Sequence, residues 1–225
     1  MKKKNSTDQQ FANIEEGLSK TEQFVEDNRN IIISIIGFII LIFIIIYGYK
    51  NFYQIPLNTK AQKELFIAEQ YFEKDSFQIA LHGNENFVGL INIIEEYKNT
   101  KSGKLALYYS GISYLHLGEY TNAIKMLEKY DSDDQLLLSI ATTAIGDAFS
   151  EMNQPKEALE YYKKSINIYN NELTTPRTLM KCAKIYETEQ NFEEANKCYK
   201  KIKSDFPEAI KNIEKYIHNT KAKKS

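Results

Sequence analysis

Between Ile31 and Tyr49 the chain has no polar face: sixteen of the nineteen residues are apolar or aromatic, eleven are isoleucine and none is charged. At about 1.5 Å of rise per residue, a helix of that length reaches about 28 Å, close to the roughly 30 Å hydrocarbon layer of a bilayer. A helix buried in a soluble core keeps a polar side, and a cleaved signal is shorter and is followed by small residues at its cleavage site. Here "KNFYQIPLNTK" follows instead. The pattern predicts an uncleaved signal anchor over residues 31–49. Ser34 and Gly37 make no pair of small residues at helix-dimer spacing and are read as incidental. Lysine and arginine bias orientation. Lys2, Lys3, Lys4, Lys20 and Arg29 precede the span, against Lys50, Lys60 and Lys63 soon after it, which predicts a cytoplasmic N-terminus with the rest of the chain on the far side.

Before the span, Phe11, Ile14, Leu18, Thr21 and Val25 recur at three- and four-residue steps, so residues 1–30 read as an amphipathic, cytoplasmic segment able to pair with another helix or lie on a membrane. Beyond it, apolar positions keep a helical period and the pattern itself repeats. "LALYYSGISYLHLGEYTNAIKMLEKY" places Gly111, Tyr114, Gly118, Tyr120, Ala123, Leu127 and Tyr130 at the small, aromatic, turn, aromatic, small, large and large positions of a tetratricopeptide repeat (TPR). Small residues on both helices, Gly111 and Ala123, let the pair approach closely while aromatics fill the flanks. The pattern returns with Gly146, Phe149, Ala158 and Tyr162, where Pro155 opens a second helix, and again with Ala183, Tyr186, Ala195, Tyr199 and Ile202. An irregular first copy has Ala68 and Tyr71 on one helix, and Phe87, Leu90, Ile94 and Tyr97 in register with Tyr120 to Tyr130. An insertion within "DSFQIALHGNEN", broken at Gly83, separates its halves. "SDFPEAIKNIEKYIHN" sets Ile210, Ile213, Tyr216 and Ile217 on one face of a closing helix. The predicted fold is all-α: a single transmembrane helix, then a TPR-type α-solenoid of about four helical hairpins over residues 58–218 with a C-terminal capping helix, and a basic tail over residues 219–225.

The order of a basic N-terminus, "KTEQFVEDN", one span, "IALHGNENFVGLINIIEEYKNTKSGKLALYYSGISYLHLGEY" and further helical pairs resembles single-span TPR proteins of Bacteroidetes. These are similar in turn to the ancillary TPR subunit of the bacterial Sec translocon. The resemblance implies a bacterial inner-membrane protein with a periplasmic TPR domain that meets secreted or envelope clients, a membrane-anchored chaperone or the translocon. That last step is an analogy of architecture.

In TPR arrays the first helices line a groove. The corresponding positions are Tyr108, Ile112, Leu115 and His116 in one repeat, Thr143, Asp147, Ser150 and Glu151 in the next, and Arg177, Met180, Lys184 and Glu187 in the last. Thr143 and Asp147 are the wrong chemistry for the lysine, arginine and asparagine set that grips C-terminal carboxylates, so a carboxylate clamp is not predicted. The groove has an aliphatic and aromatic end and a charged end.

Composition adds limits. Lys and Arg number 29 against 30 Asp and Glu, leaving no one-signed field to attract nucleic acid. His82, His116 and His218 stand far apart, and no HExxH, CxxC, Gly-rich phosphate loop or GxSxG occurs, so no catalysis, metal or cofactor is predicted. Cys182 lies on the first helix of the last hairpin and Cys198 on its second, where an antiparallel turn near Gln190 can bring them near each other, either as a disulfide in an oxidising compartment or as two buried thiols. The reading is a membrane-anchored scaffold for other proteins. Its alternatives are the same scaffold facing the cytoplasm, and a thiol-dependent enzyme.

Overall fold

In the computed structural model, which describes residues 23–224, the isoleucine-rich stretch is a single α-helix, α1 (Arg29–Tyr49). The chain divides into two units, Met1–Pro56 and Leu57–Ser225. In the first, no residue of α1 is buried, and its large side chains from Ile33 to Tyr47 leave 40–70% of their surface exposed. Nothing lies within 4 Å of a Cβ built on Gly37 or Gly48. Among the described residues this is the one helical stretch long and apolar enough to cross a membrane. A π-helical turn, Lys50–Gln54, follows it. Phe11, Ile14, Leu18 and Thr21 of the N-terminal stripe lie outside the described residues, and Val25 is exposed.

The second unit is built of helix pairs. α2 (Ile55–Glu73) is followed by α3 (Phe77–His82), a two-stranded ladder of β1 (Gly83–Asn84) and β2 (Phe87–Val88), and α4 (Leu90–Glu96). Then come α5 (Lys101–His116) with α6 (Tyr120–Lys129), α7 (Gln135–Glu151) with α8 (Pro155–Ile168), α9 (Thr175–Thr188) with α10 (Phe192–Asp205), and the last helix, α11 (Ile213–Lys224).

One turn design recurs. Asp75, Gly118, Asn153 and Gln190 adopt φ of 55°, 76°, 57° and 60°. The next N–H in each case reaches back to an aromatic residue's carbonyl: Ser76 to Tyr71 at 2.9 Å, Glu119 to Tyr114 at 2.9 Å, Gln154 to Phe149 at 2.9 Å and Asn191 to Tyr186 at 2.8 Å. This left-handed cap satisfies carbonyls that a helix end would otherwise strand, and glycine, asparagine and aspartate tolerate it best. Close approach of the paired helices explains the small residues. Ala80, Ala123, Ala158 and Ala195 are fully buried on the second helices, as are Ala68 and Ala183 on the first. A Cβ on Gly111 would overlap the Leu127 side chain, and one on Gly146 would stand 2.5 Å from the Tyr162 ring.

The recurring turn corrects the register of the first hairpin. Its second helix begins at Phe77, with Ala80 in the small position that the sequence pattern assigns to Leu90. The insertion then interrupts that helix. Gly83, at φ 76°, turns the chain into the short ladder, and α4 resumes the packing with Leu90, Ile93 and Tyr97 buried. Phe87 stacks on Tyr71 with ring centroids 4.8 Å apart, and a Cβ on Gly89 would run into the Leu81 carbonyl oxygen. Both observations leave the insertion pressed into the repeat. A second correction concerns the closing helix: it begins at Ile213, and Ile210 packs against the last core from the preceding turns. α11 is held on α10 by the Asn196 side chain, which donates to the Ile217 carbonyl at 2.9 Å and to the Thr220 hydroxyl at 2.7 Å.

Candidate interaction groove

The C-terminal halves of the first helices α5, α7 and α9 enclose a groove of about 660 Å³. Leu115 and His116 come from α5, Asp147, Ser150 and Glu151 from α7, and Lys181, Lys184, Ile185 and Thr188 from α9; Tyr120, Pro155 and Tyr162 of the second helices reach in from below. Its character is mixed. Leu115, Tyr120 and Pro155 offer apolar surface, Ile185 keeps only 9% of its surface open, and Glu151, Lys184 and Glu189 add charges of both signs. The His116 ring lies flat on Phe77, with centroids 4.5 Å apart and planes 5° from parallel, so its outer face is presented to the groove in one orientation.

Asp147 is occupied by the protein itself. The Tyr162 hydroxyl donates to its Oδ1 at 2.7 Å, and Lys181 Nζ donates to Oδ1 at 2.6 Å and Oδ2 at 2.5 Å. A carboxylate on α7 thereby ties α8 and α9 to it. Burial first, and then the neighbouring Asp147 charge, push the Tyr162 phenol well above its ordinary range, so it stays a donor.

The residues expected in the groove separate into two groups. Leu115, His116, Asp147, Ser150, Glu151 and Lys184 line it. The others have different company. Tyr108 packs edge-on to Tyr109 at 5.5 Å and against Tyr130 at 5.7 Å, and Ile112 sits among the apolar side chains between α6 and α7. The Thr143 hydroxyl lies 2.7 Å from that of Ser165 and 3.3 Å from that of Thr178, and Ser165 donates on to the Ser139 carbonyl at 2.8 Å. Those hydroxyls stitch α7, α8 and α9 together, and Thr143 is not among the residues that line the groove. Met180 packs on the core of the last hairpin, the Glu187 charge adds to the burial that raises the Tyr199 phenol, and Arg177 is exposed near the start of α9.

The sequence reading missed Lys181, Ile185, Tyr120 and Tyr162. A signal for one of them was present: Lys181 stands 34 residues after Asp147, one repeat period, with the opposite charge. It also missed a second groove of about 690 Å³ between α2 and α5, lined by Gln62, Leu65, Phe66, Glu69, Lys101 and Leu105 among others. Phe66 is 60% exposed there. Burial raises the Glu69 carboxyl above its ordinary range, against a hydrogen bond from Tyr109 that lowers it.

Both cysteines are free thiols. Burial pushes Cys182 up to about 12 and Cys198 up to about 11, with the Lys163 charge only partly opposing it. A thiol that keeps its proton is a poor nucleophile. Among the described residues, no three His, Cys, Asp or Glu side chains gather as metal ligands would.

Residues 105–133 and 143–172 each match a family model described as tetratricopeptide repeat. Human tetratricopeptide repeat protein 29 is 29% identical over 115 residues, which cover 48% of this chain; the chain spans only 24% of that relative's length. Two structures of nearly identical TPR-like repeats from Podosopora anserina, one of them a point variant, superpose with TM-scores of 0.55 and 0.56 at 12% identity. Each covers 74% of this chain, and the match takes in 88% and 87% of the two solved chains. The chain therefore carries tetratricopeptide repeats in a TPR-type solenoid. Tetratricopeptide repeats indicate a scaffold for protein–protein interaction.

Proposed function

We propose that this protein is a membrane-anchored scaffold whose α1 helix holds it in a bacterial inner membrane, with the N-terminus cytoplasmic and the repeats in the periplasm. There it gathers secretory or envelope polypeptides, or a membrane-anchored chaperone, near the Sec translocon. The observation that carries the reading is the groove across α5, α7 and α9, whose mixed lining of apolar side chains and charges of both signs suits an extended or helical segment of another protein. The apolar, unpacked surface of α1 supports the membrane part. The setting rests on the resemblance to single-span TPR proteins of Bacteroidetes and on their analogy of architecture with the ancillary translocon subunit.

A photoreactive amino acid placed at Glu151 or Lys184 is expected to crosslink in cells to envelope polypeptides. Leu115→Ala with Tyr120→Ala is expected to weaken those crosslinks several-fold at unchanged helicity. The same products from Glu157, an exposed residue outside the groove, would count against the groove. Digestion of spheroplasts by external protease should remove the repeats; intact repeats would overturn the periplasmic placement.

A further inference from the structure

The apolar rod does not end cleanly at Tyr49. Aliphatic residues stop at Ile46, and four large rings follow in quick succession: Tyr47 (70% exposed), Tyr49 (54%), Phe52 (86%) and Tyr53 (56%). Tyr49 and Tyr53 stack with centroids 5.2 Å apart. At about 100° per residue Tyr49, Phe52 and Tyr53 share one arc of about 100°, and Tyr47 points to the opposite side. Exposed rings on opposite sides of a helix match a medium that surrounds it. Tyrosine in particular has an apolar body and a hydrogen-bonding tip, which favours the boundary between hydrocarbon and water over either phase.

The backbone changes at the same place. The chain passes from α-helix into the π-helical turn Lys50–Gln54, and the Asn51 side chain donates to the Tyr47 carbonyl at 3.2 Å. Irregular helical hydrogen bonding and a polar amide are costly in hydrocarbon and tolerated where water reaches. Lys50, inside this turn, adds a cation where anionic headgroups would meet it.

From these observations we infer that Tyr47, Tyr49, Phe52 and Tyr53 form an aromatic collar at the lipid headgroup boundary on the repeat side, so that the hydrocarbon layer ends between Ile46 and Tyr49 and the π-helical turn lies in the interface. The inference rests on the reading of α1 as a membrane anchor and fixes its depth. Gln54, Ile55 and Pro56 are then the only residues between the collar and the start of the second unit at Leu57.

The chain has no tryptophan, so one introduced indole is a unique reporter. Phe52→Trp and, separately, Ile40→Trp are made in the full-length protein and reconstituted into phosphatidylcholine–phosphatidylglycerol vesicles. Quenching is compared for lipids brominated next to the headgroup, for lipids brominated deep in the acyl chain, and for aqueous iodide. The collar predicts that Phe52→Trp is quenched most by shallow bromine and several-fold less by iodide than the same protein unfolded, while Ile40→Trp is quenched most by deep bromine. Free access of iodide to Phe52→Trp, or strongest quenching of it by deep bromine, with Ile40→Trp still deep, overturns the collar and leaves the anchor standing. Iodide access to Ile40→Trp overturns the anchor itself.

Discussion

Gly146 shows how a single hydrogen in place of a methyl group sets the distance between two helices. A Cβ at this position would stand 2.5 and 2.6 Å from two atoms of the Tyr162 ring and 3.1 Å from the Ala158 carbonyl oxygen. The ring cannot swing away freely, because its hydroxyl is held by Asp147 at 2.7 Å. Alanine gains about 1 kcal/mol over glycine in helix propensity, whereas overpacking a tight core contact costs about 1–3 kcal/mol. The steric loss is expected to win at this site. Gly146→Ala should therefore lower the melting temperature by a few degrees, at about 2–4 °C per kcal/mol for a domain of this size. A melting temperature equal to or above that of the parent, read by circular dichroism, would refute the close-approach account. Gly111, Gly146 and their alanine partners were legible in the sequence because they recur at a fixed period. Thr143 was not, since its hydroxyl is consumed by Ser165 and Thr178, which come from two other helices.

Between elements, the carboxylate of Asp147 joins three helices through two partners of unequal worth. Lys181 is 41% exposed at its side chain, and ion pairs open to solvent contribute about 0–1 kcal/mol. Tyr162 is buried, and a hydrogen bond to a charged acceptor contributes about 1.5–3 kcal/mol. Tyr162→Phe is thus expected to destabilise more than Lys181→Met, and chemical denaturation of both variants and of the double variant measures the ranking and the coupling. The reverse order would mean that the ion pair, and not the phenol, carries the bracket. At this scale the hairpins were predictable and one register was not. The first turn sits at Asp75, where a non-glycine residue at φ 55° gives no composition signal as plain as Gly118. Pattern matching could therefore place the second helix at Phe87 to Tyr97, which also packs, and overlook Phe77 to Leu81, which packs first.

For the molecule as a whole, buried titratable groups set a limit on the alkaline side. Burial pushes the Cys182 thiol to about 12 and Cys198 to about 11. Burial, reinforced by Glu69 and by Glu128 respectively, pushes Tyr109 and Tyr161 to about 12. In the unfolded chain these groups titrate at about 8.5 for thiols and about 10 for phenols. All four are raised on folding, so the folded state holds protons that the unfolded chain releases, and stability falls with pH across that interval. Stability is expected to be level with respect to these groups below pH ~8.5 and to decline progressively between about pH 9 and 12. Melting curves over that range check it, and a melting temperature unchanged to pH ~11 would contradict the burial of these groups.

The sequence by itself determined the apolar rod, the helix pairs and their close contacts, because each depends on residues a few positions apart or one period away, where spacing alone brings side chains together. Tertiary structure decided which of the exposed-looking positions remain open. Asp147 is engaged by Tyr162 and Lys181, Tyr108 is packed on Tyr130, and the groove lies at the C-terminal ends of α5, α7 and α9. Periodicity fixes where a residue sits on its own helix; what occupies it is settled only when neighbouring helices arrive.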